Sequence, residues 1–181
     1  IKDETRQMVI SISFGLILSM MMMICKISIP IEWPFLLIVM ASLFMRQIDG
    51  RLTCLTYVVA CIYTIDYLLV MLGWKSAFFE LSYGRLIYLV GGLHFMEGIL
   101  TLFFGDKKTQ AVVKYRGKEI AGGYRAYGKW LIPLLFFSFR GIYVPIVAAI
   151  VYFNETFVMS PKEKSKKMGL LIGSFGLLIL A

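Results

Sequence analysis

Long apolar runs separated by short polar breaks dominate the first part of the chain. The polar stretch Ile1 to Gln7 precedes an apolar run from about Met8 to Ile27, and a shorter run covers Phe35 to Met45. Two more follow, from about Leu52 to Trp74 and from Leu86 to about Gly105. A helix needs roughly 20 apolar residues to cross the hydrocarbon core of a bilayer. The pattern therefore predicts a membrane bundle of about four spans in residues 1–105.

Residues 106–129 are polar and basic, and they interrupt the apolar pattern. Within them, Ala111 to Tyr124 places β-favouring residues on both sides of Arg116 and Gly117. Such residues around a glycine-containing turn are typical of a β-hairpin. This stretch is predicted to form a basic cytoplasmic loop or small two-stranded ribbon on the membrane surface.

The apolar pattern resumes over residues 130–157, where Arg140 and Gly141 interrupt it between Pro133 and Pro145. An arginine at the bilayer centre costs at least about 2.5 kcal/mol, so a single straight span is unfavourable. We predict a broken or re-entrant membrane segment here, then a basic cytoplasmic loop over 158–167. Residues 168–181 are expected to begin a final span that continues beyond Ala181.

The composition also indicates that most of the chain lies in a lipid bilayer. The chain is 59% apolar, its mean hydropathy is +0.79 and only 17% of its residues are charged, which excludes an ordinary soluble domain. The predicted fold class is an all-α polytopic membrane protein with about five to seven membrane segments and a small basic β-hairpin between spans. The predicted location is the cell membrane.

Basic residues outnumber acidic ones, 19 to 11, and most of them lie in the polar breaks. Breaks rich in Lys and Arg face the cytoplasm and attract anionic lipids, which are therefore the predicted partners. A cytoplasmic N-terminus leaves only Lys26, Lys75 and Arg85 in outer loops, provided that residues 130–156 return to the side they left. Because the cations lie at the ends of spans, nucleic acid is not expected as a partner.

Three ionisable side chains within apolar runs form the candidate polar cluster: Asp66, His94 and Glu97. If the third and fourth runs are antiparallel, Asp66 and His94 lie at similar depth and pair. The cluster either joins two tightly packed helices or forms a proton or ion pathway. Because the chain has one histidine, the two-histidine zinc site of an intramembrane metalloprotease is excluded. No catalytic residue, metal site or cofactor is predicted, and the chain is not expected to be an enzyme.

The fourth apolar run carries small residues at helical spacings of three and four. Gly91, Gly98, Thr101 and Gly105 form this helix-packing stripe, which allows close approach of another helix, within the chain or in an oligomer. Cys25, Cys54 and Cys61 all lie in or beside apolar runs and are expected to be small buried residues without disulfide bonds.

A third candidate region is a basic surface that could meet lipid or a protein partner, although it could equally be a solvated loop that sets topology. Its residues are Lys107, Lys108, Lys114, Arg116, Lys118, Arg125 and Lys129.

Several motifs resemble a known family: His94 to Gly98 (HFMEG), Val113 to Lys118 (VKYRGK), Gly122 to Tyr124 (GGY), Trp130 with Pro133, and Ser160 with Pro161. They are similar to the MinJ-like multi-pass membrane proteins of Gram-positive bacteria, which end in a cytoplasmic PDZ domain. The resemblance covers about half of the chain and does not include the PDZ domain. It implies the membrane-anchoring part of a non-catalytic scaffold that recruits cytoplasmic proteins in cell-division site selection. The alternative is a transport or proton-coupled component that uses the polar cluster.

Overall fold

The computed structural model describes residues 2–48, 54–74, 83–116 and 119–181. Five helices and four strands lie within these ranges. The helices are α1 (Lys2–Ile24), α2 (Trp33–Ile48), α3 (Leu55–Met71), α4 (Tyr83–Phe104) and α5 (Pro161–Leu180). The strands are β1 (Ile29–Pro30), β2 (Thr109–Arg116), β3 (Glu119–Phe139) and β4 (Ile142–Thr156).

The prediction of an all-α protein with five to seven membrane segments is wrong, because residues 119–156 form two long strands of a four-stranded mixed sheet. Among the described helices, α1 from Glu4 and α4 are long and apolar enough to cross a membrane, a statement about length and composition alone. Helices α2 and α3 are apolar but shorter.

The interruption at Arg140 and Gly141 is a hairpin turn and not a break in a membrane helix. Both residues have positive φ angles, 49° and 83°, and Phe139 pairs with Ile142 on either side of them. Positive φ at both central residues is the geometry of the two-residue turns that match the twist of a β-hairpin. Val, Ile and Tyr residues in β4 favour a strand, and its exposed and partly buried positions alternate over most of its length. The segment therefore returns to the end of the molecule that it left, as strands instead of helices.

Strand β3 is the centre of the sheet. Its first part pairs with β2 from Thr109 opposite Ala126 onwards, so the ribbon predicted for residues 111–124 corresponds to one part of a larger sheet. Strand β4 pairs antiparallel with β3, and β1 pairs parallel with the end of β3, with Ile29 opposite Phe137.

Helix α1 lies along β3, and one of its side chains accepts a hydrogen bond at the point where the sheet is irregular. The β3–β4 register shifts between Leu134 and Phe137, and there the Leu135 N–H donates to Ser19 Oγ at 3.0 Å instead of to β4. Ser19 is buried and donates in turn to the Gly15 carbonyl at 2.8 Å. An unpaired buried N–H costs about 1–3 kcal/mol, so Ser19 stabilises the bulge that joins helix to sheet.

Helix α5 begins earlier than the predicted final span, and residues 161–167 belong to it instead of to a loop. Ser160 caps it by accepting a hydrogen bond from the Glu163 N–H at 3.3 Å, and the Ser160 hydroxyl contacts the Glu163 carboxylate at 3.1 Å. This arrangement satisfies an N–H group that has no partner inside the helix. The lysines after Pro161 are therefore ordered on the first two turns of α5.

Candidate functional site

His94 is the centre of a polar cluster between α3 and α4. Its Nδ1 lies 3.0 Å from Glu97 Oε2, one turn further along α4. Its Nε2 lies 2.5 Å from Thr56 Oγ1 and 3.4 Å from Cys54 Sγ. Cys54 immediately precedes α3, so the start of that helix brings a thiol and a hydroxyl to one side of the imidazole while α4 supplies a carboxylate on the other.

The three groups Cys54, His94 and Glu97 are arranged in series. Nδ1 of the imidazole faces the Glu97 carboxylate, and Nε2 faces Cys54 and Thr56. Burial alone raises the pKa of the Cys54 thiol, but hydrogen bonds with His94 and Thr56 outweigh burial and lower that pKa. A lower pKa increases the thiolate fraction, which is the nucleophilic form of cysteine.

Asp66 does not belong to this cluster, and its predicted pairing with His94 is wrong. Asp66 Oδ2 accepts a hydrogen bond from the Tyr83 hydroxyl at 2.9 Å, near the other end of the α3–α4 pair. The two helices are antiparallel, but their register differs from the predicted one, because Tyr83 contacts Asp66 and His94 contacts Thr56. Thr56, ten residues before Asp66, therefore occupies the place predicted for Asp66.

The predicted packing stripe faces α5. A Cβ added at Gly98 would meet the backbone nitrogen of Gly173, and one added at Gly91 would lie 2.8 Å from Ile179 Cγ2. Thr101 is fully buried, and its carbonyl accepts a hydrogen bond from Ser165 Oγ. A Cβ added at Gly105 would also contact Ser165 Oγ. All four stripe residues therefore lie against α5 within the chain.

Sequence reasoning missed the matching stripe on α5. Ser165, Gly169, Gly173 and Gly176 are the residues of that helix that lie buried. A Cβ at Gly169 would lie 2.7 Å from the Leu102 nitrogen, so backbone approaches backbone. The spacing of four, four and three residues was a detectable signal of this kind of close helix packing.

A basic cavity of about 520 Å³ lies beside the segment that follows α4. The residues lining it are Lys107, Lys108, Thr109, Gln110, Arg125, Tyr127 and Phe153. Arg125 forms an ion pair with Glu155 at 2.6 Å and lies 5.5 Å from the centre of the Phe153 ring. Three cations and two aromatic rings therefore line one concave surface, and two of the cations, Lys108 and Arg125, already contact carboxylates.

This cavity marks the basic end of the molecule, the part where α1 begins, α4 ends and α5 begins. Lys108 Nζ lies 2.8 Å from Glu4 Oε1, which joins the start of α1 to the residues after α4. The hydrogen bond between Ser165 and the Thr101 carbonyl joins the start of α5 to the end of α4. Lysines on the first turns of α5 thus lie at the same end as the cavity.

The remaining predicted basic residues lie outside the cavity. Lys114 on β2 lies 6.0 Å from the centre of the Phe157 ring, and Lys129 on β3 is exposed opposite Val151. Arg116 ends β2, and Lys118 lies outside the described residues. The residues of the predicted basic surface therefore fall into two separate regions. The cavity with Lys107, Lys108 and Arg125 is the more concave of the two.

Metal-ligating and sulfur-containing side chains are the remaining candidates for chemistry. Over the described ranges, no group of three His, Cys, Asp or Glu side chains is placed to hold a metal ion. All three cysteines are free thiols. The expectation that all are buried is wrong for Cys25 and Cys61, which are exposed on the protein surface, whereas Cys54 is partly buried.

The resemblance to the MinJ-like family rests on short motifs, and the site described above is independent of it. Comparison of the chain with protein-family models, with curated proteins and with solved structures finds no match.

Proposed function

We propose that this chain is the membrane-anchoring part of a scaffold that recruits cytoplasmic proteins through its basic end. The observation that carries the proposal is the position of the basic cavity at the meeting point of the two helices with span-like length and composition. Apolar helices can hold the chain in a bilayer, while the cavity with its aromatic rings suits an acidic segment of a partner.

The charge distribution supports an orientation with the basic end in the cytoplasm. The cavity cations and the lysines of the first turns of α5 all lie at this end. Membrane proteins carry their excess Lys and Arg on the cytoplasmic side. This orientation makes the N-terminus cytoplasmic and places the β3–β4 turn at the opposite end, beside the residues that follow α1.

A proton-coupled transport role is the alternative, and the geometry supports it less. Asp66 bonds to Tyr83, while His94 and Glu97 lie with Thr56. Ten helical residues separate Thr56 from Asp66, which corresponds to roughly 15 Å along α3. The three ionisable groups therefore do not form one continuous chain of hydrogen bonds among the described residues. The resemblance to MinJ-like proteins points to division-site selection as the first process to test.

Removing the cavity cations is expected to abolish recruitment while the protein remains in the membrane. In the variant Lys107→Gln, Lys108→Gln, Arg125→Gln, we expect the labelling of neighbouring cytoplasmic proteins to fall at least tenfold. The reason is that an acidic segment of the partner loses its charge-assisted hydrogen bonds to the cavity. Proximity labelling in cells, with the labelling enzyme fused ahead of α1 at the basic end, measures the change.

The matched control removes the same charge from the same end. Lys162→Gln, Lys166→Gln, Lys167→Gln alters three exposed lysines of α5 that do not line the cavity. This control is expected to retain the neighbours that the cavity variant loses. Equal loss in both variants would mean that charge at the basic end matters in bulk and would contradict a specific role for the cavity.

A further inference from the structure

The series Cys54, His94 and Glu97 has the arrangement of a nucleophile, a base and an orienting carboxylate. The imidazole Nε2 lies 3.4 Å from the thiol sulfur, and Nδ1 lies 3.0 Å from the carboxylate. A base within hydrogen-bond reach of a nucleophile, itself oriented by a third group, is the geometry of nucleophilic catalysis on many unrelated folds. Packing alone does not require a thiol, an imidazole and a carboxylate in this order.

The position of Cys54 in the chain adds to its nucleophilic character. It is the residue before the first turn of α3, and its side chain does not cap that helix. The first N–H groups of a helix have no intrahelical partner, and the positive end of the helix dipole stabilises a nearby anion. Cys54 therefore lies at the positive end of the α3 dipole, where a thiolate is favoured.

An exposed apolar strip leads away from this series. The Phe175 ring of α5 packs edge-on against His94, with ring centres 5.8 Å apart. Leu171, Phe175 and Leu178 are all substantially exposed and lie four and three residues apart, which places them on one face of α5. A long hydrocarbon chain attached near His94 could lie along this face.

We propose that Cys54 is a site of self-acylation, at which the thiol takes a long-chain acyl group from an acyl thioester. His94 Nε2 accepts the thiol proton as Cys54 Sγ forms a bond to the thioester carbonyl carbon. The bond between that carbon and the donor sulfur then breaks, and the departing thiolate takes the proton from His94. The products are an acyl thioester on Cys54 and a free donor thiol, with no change in oxidation state.

The three side chains have separate roles in this step. Cys54 and His94 touch the reacting atoms and are the catalytic residues. Glu97 is a positioning residue, because it holds the Nδ1 proton and thereby keeps Nε2 facing the sulfur. The modification goes beyond scaffold function, and it does not depend on recruitment by the basic cavity.

The test uses the full chain, purified in detergent micelles and mixed with palmitoyl-coenzyme A at neutral pH. Intact-mass spectrometry is expected to show one palmitoyl addition that hydroxylamine removes, and peptide mapping is expected to place it on Cys54. Cys54→Ser should remove it, whereas Cys25→Ser with Cys61→Ser should retain it. His94→Gln should slow it about 100-fold, the lower range for removal of a general base.

Glu97 is tested by a readout that a packing role would not change. Glu97→Gln is expected to slow acylation and move its pH profile to lower pH, because the imidazole loses the carboxylate that favours its protonated form. Glu97→Asp should restore part of the rate and of the profile. Asp66→Asn removes a carboxylate outside the series and should leave both unchanged.

Acylation at Cys25 or Cys61 at the rate of Cys54 would overturn the proposal by showing unspecific transfer. Absence of acylation in a chain with native circular dichroism would also overturn it. Recruitment is measured on cavity variants and not on variants of Cys54. Either result would therefore leave the proposed scaffold function unaffected.

Discussion

Replacing Gly98 with leucine is expected to destabilise the α4–α5 pair by about 3 kcal/mol, the upper part of the usual range for overpacking. A side chain at Gly98 would meet the backbone of Gly173 and lie 2.8 Å from the Gly169 carbonyl oxygen. Because backbone atoms oppose it on the other helix, a change of rotamer cannot relieve the clash, and the helices must separate. Denaturant unfolding in detergent micelles measures the loss.

Gly84 provides the matched control in the same helix. A Cβ built there meets nothing within 4 Å among the described residues. Gly84→Leu is expected to leave stability unchanged or to raise it by up to about 1 kcal/mol, because leucine favours a helix over glycine. If Gly84→Leu and Gly98→Leu lowered stability equally, close contact between α4 and α5 would not explain the effect.

The small-residue stripe shows how much of the packing the sequence could predict. Spacings of three and four residues placed Gly91, Gly98, Thr101 and Gly105 on one helix face without any structure. The partner could not be identified in this way, because α5 follows about 60 residues later and the intervening sheet decides which helix returns. The glycines of α5 carried the same signal and could have been matched to the stripe.

The hydropathy pattern could not predict the sheet. An apolar run of more than 20 residues is typical of a membrane helix, but two strands that pack an apolar face against α1 give the same average. Arg140 and Gly141 were correctly identified as an interruption. Deciding between a broken helix and a hairpin required their φ angles and the pairing of Phe139 with Ile142.

The variant His94→Cys is expected to be joined to the native Cys54 in high yield by a short bifunctional thiol reagent. Cys54 Sγ lies 3.4 Å from His94 Nε2, at the far end of the imidazole, so the shorter cysteine side chain leaves a gap that the reagent spans. The contrasting variant combines Asp66→Cys and His94→Cys with Cys54→Ser. It should give almost no cross-link, because the register separates these positions by roughly 15 Å along the helix. Counting free thiols before and after the reagent measures both.

Efficient cross-linking between positions 66 and 94, with little between 54 and 94, would contradict the register described here. The same outcome would restore the pairing of Asp66 with His94 that equal depth predicted. It would also separate the thiol from its base and remove the geometric support for acylation of Cys54.

The candidate site shows why sequence alone was insufficient. His94 and Glu97 are one helical turn apart, so their contact followed from the sequence. Cys54 lies 40 residues from His94, and their contact depends on the lengths of α3 and α4 and on the segment between them. The predicted register was wrong by about ten residues, so it placed Asp66 beside His94, where the structure has Cys54 and Thr56. The sequence therefore predicted a buried ion pair at a place where the structure has a potential nucleophile.

The proposed anchoring of the chain in a membrane, with its basic end in the cytoplasm, is tested most directly by labelling single cysteines in intact cells. In a chain with Cys25, Cys54 and Cys61 replaced by serine, Lys166→Cys reports on the basic end, and Ile142→Cys reports on the β3–β4 turn. Both positions are exposed in the structure. A membrane-impermeant maleimide is expected to label position 142 from outside and position 166 only after lysis. Labelling of position 166 from outside, or of neither position until lysis, would contradict the proposed membrane orientation.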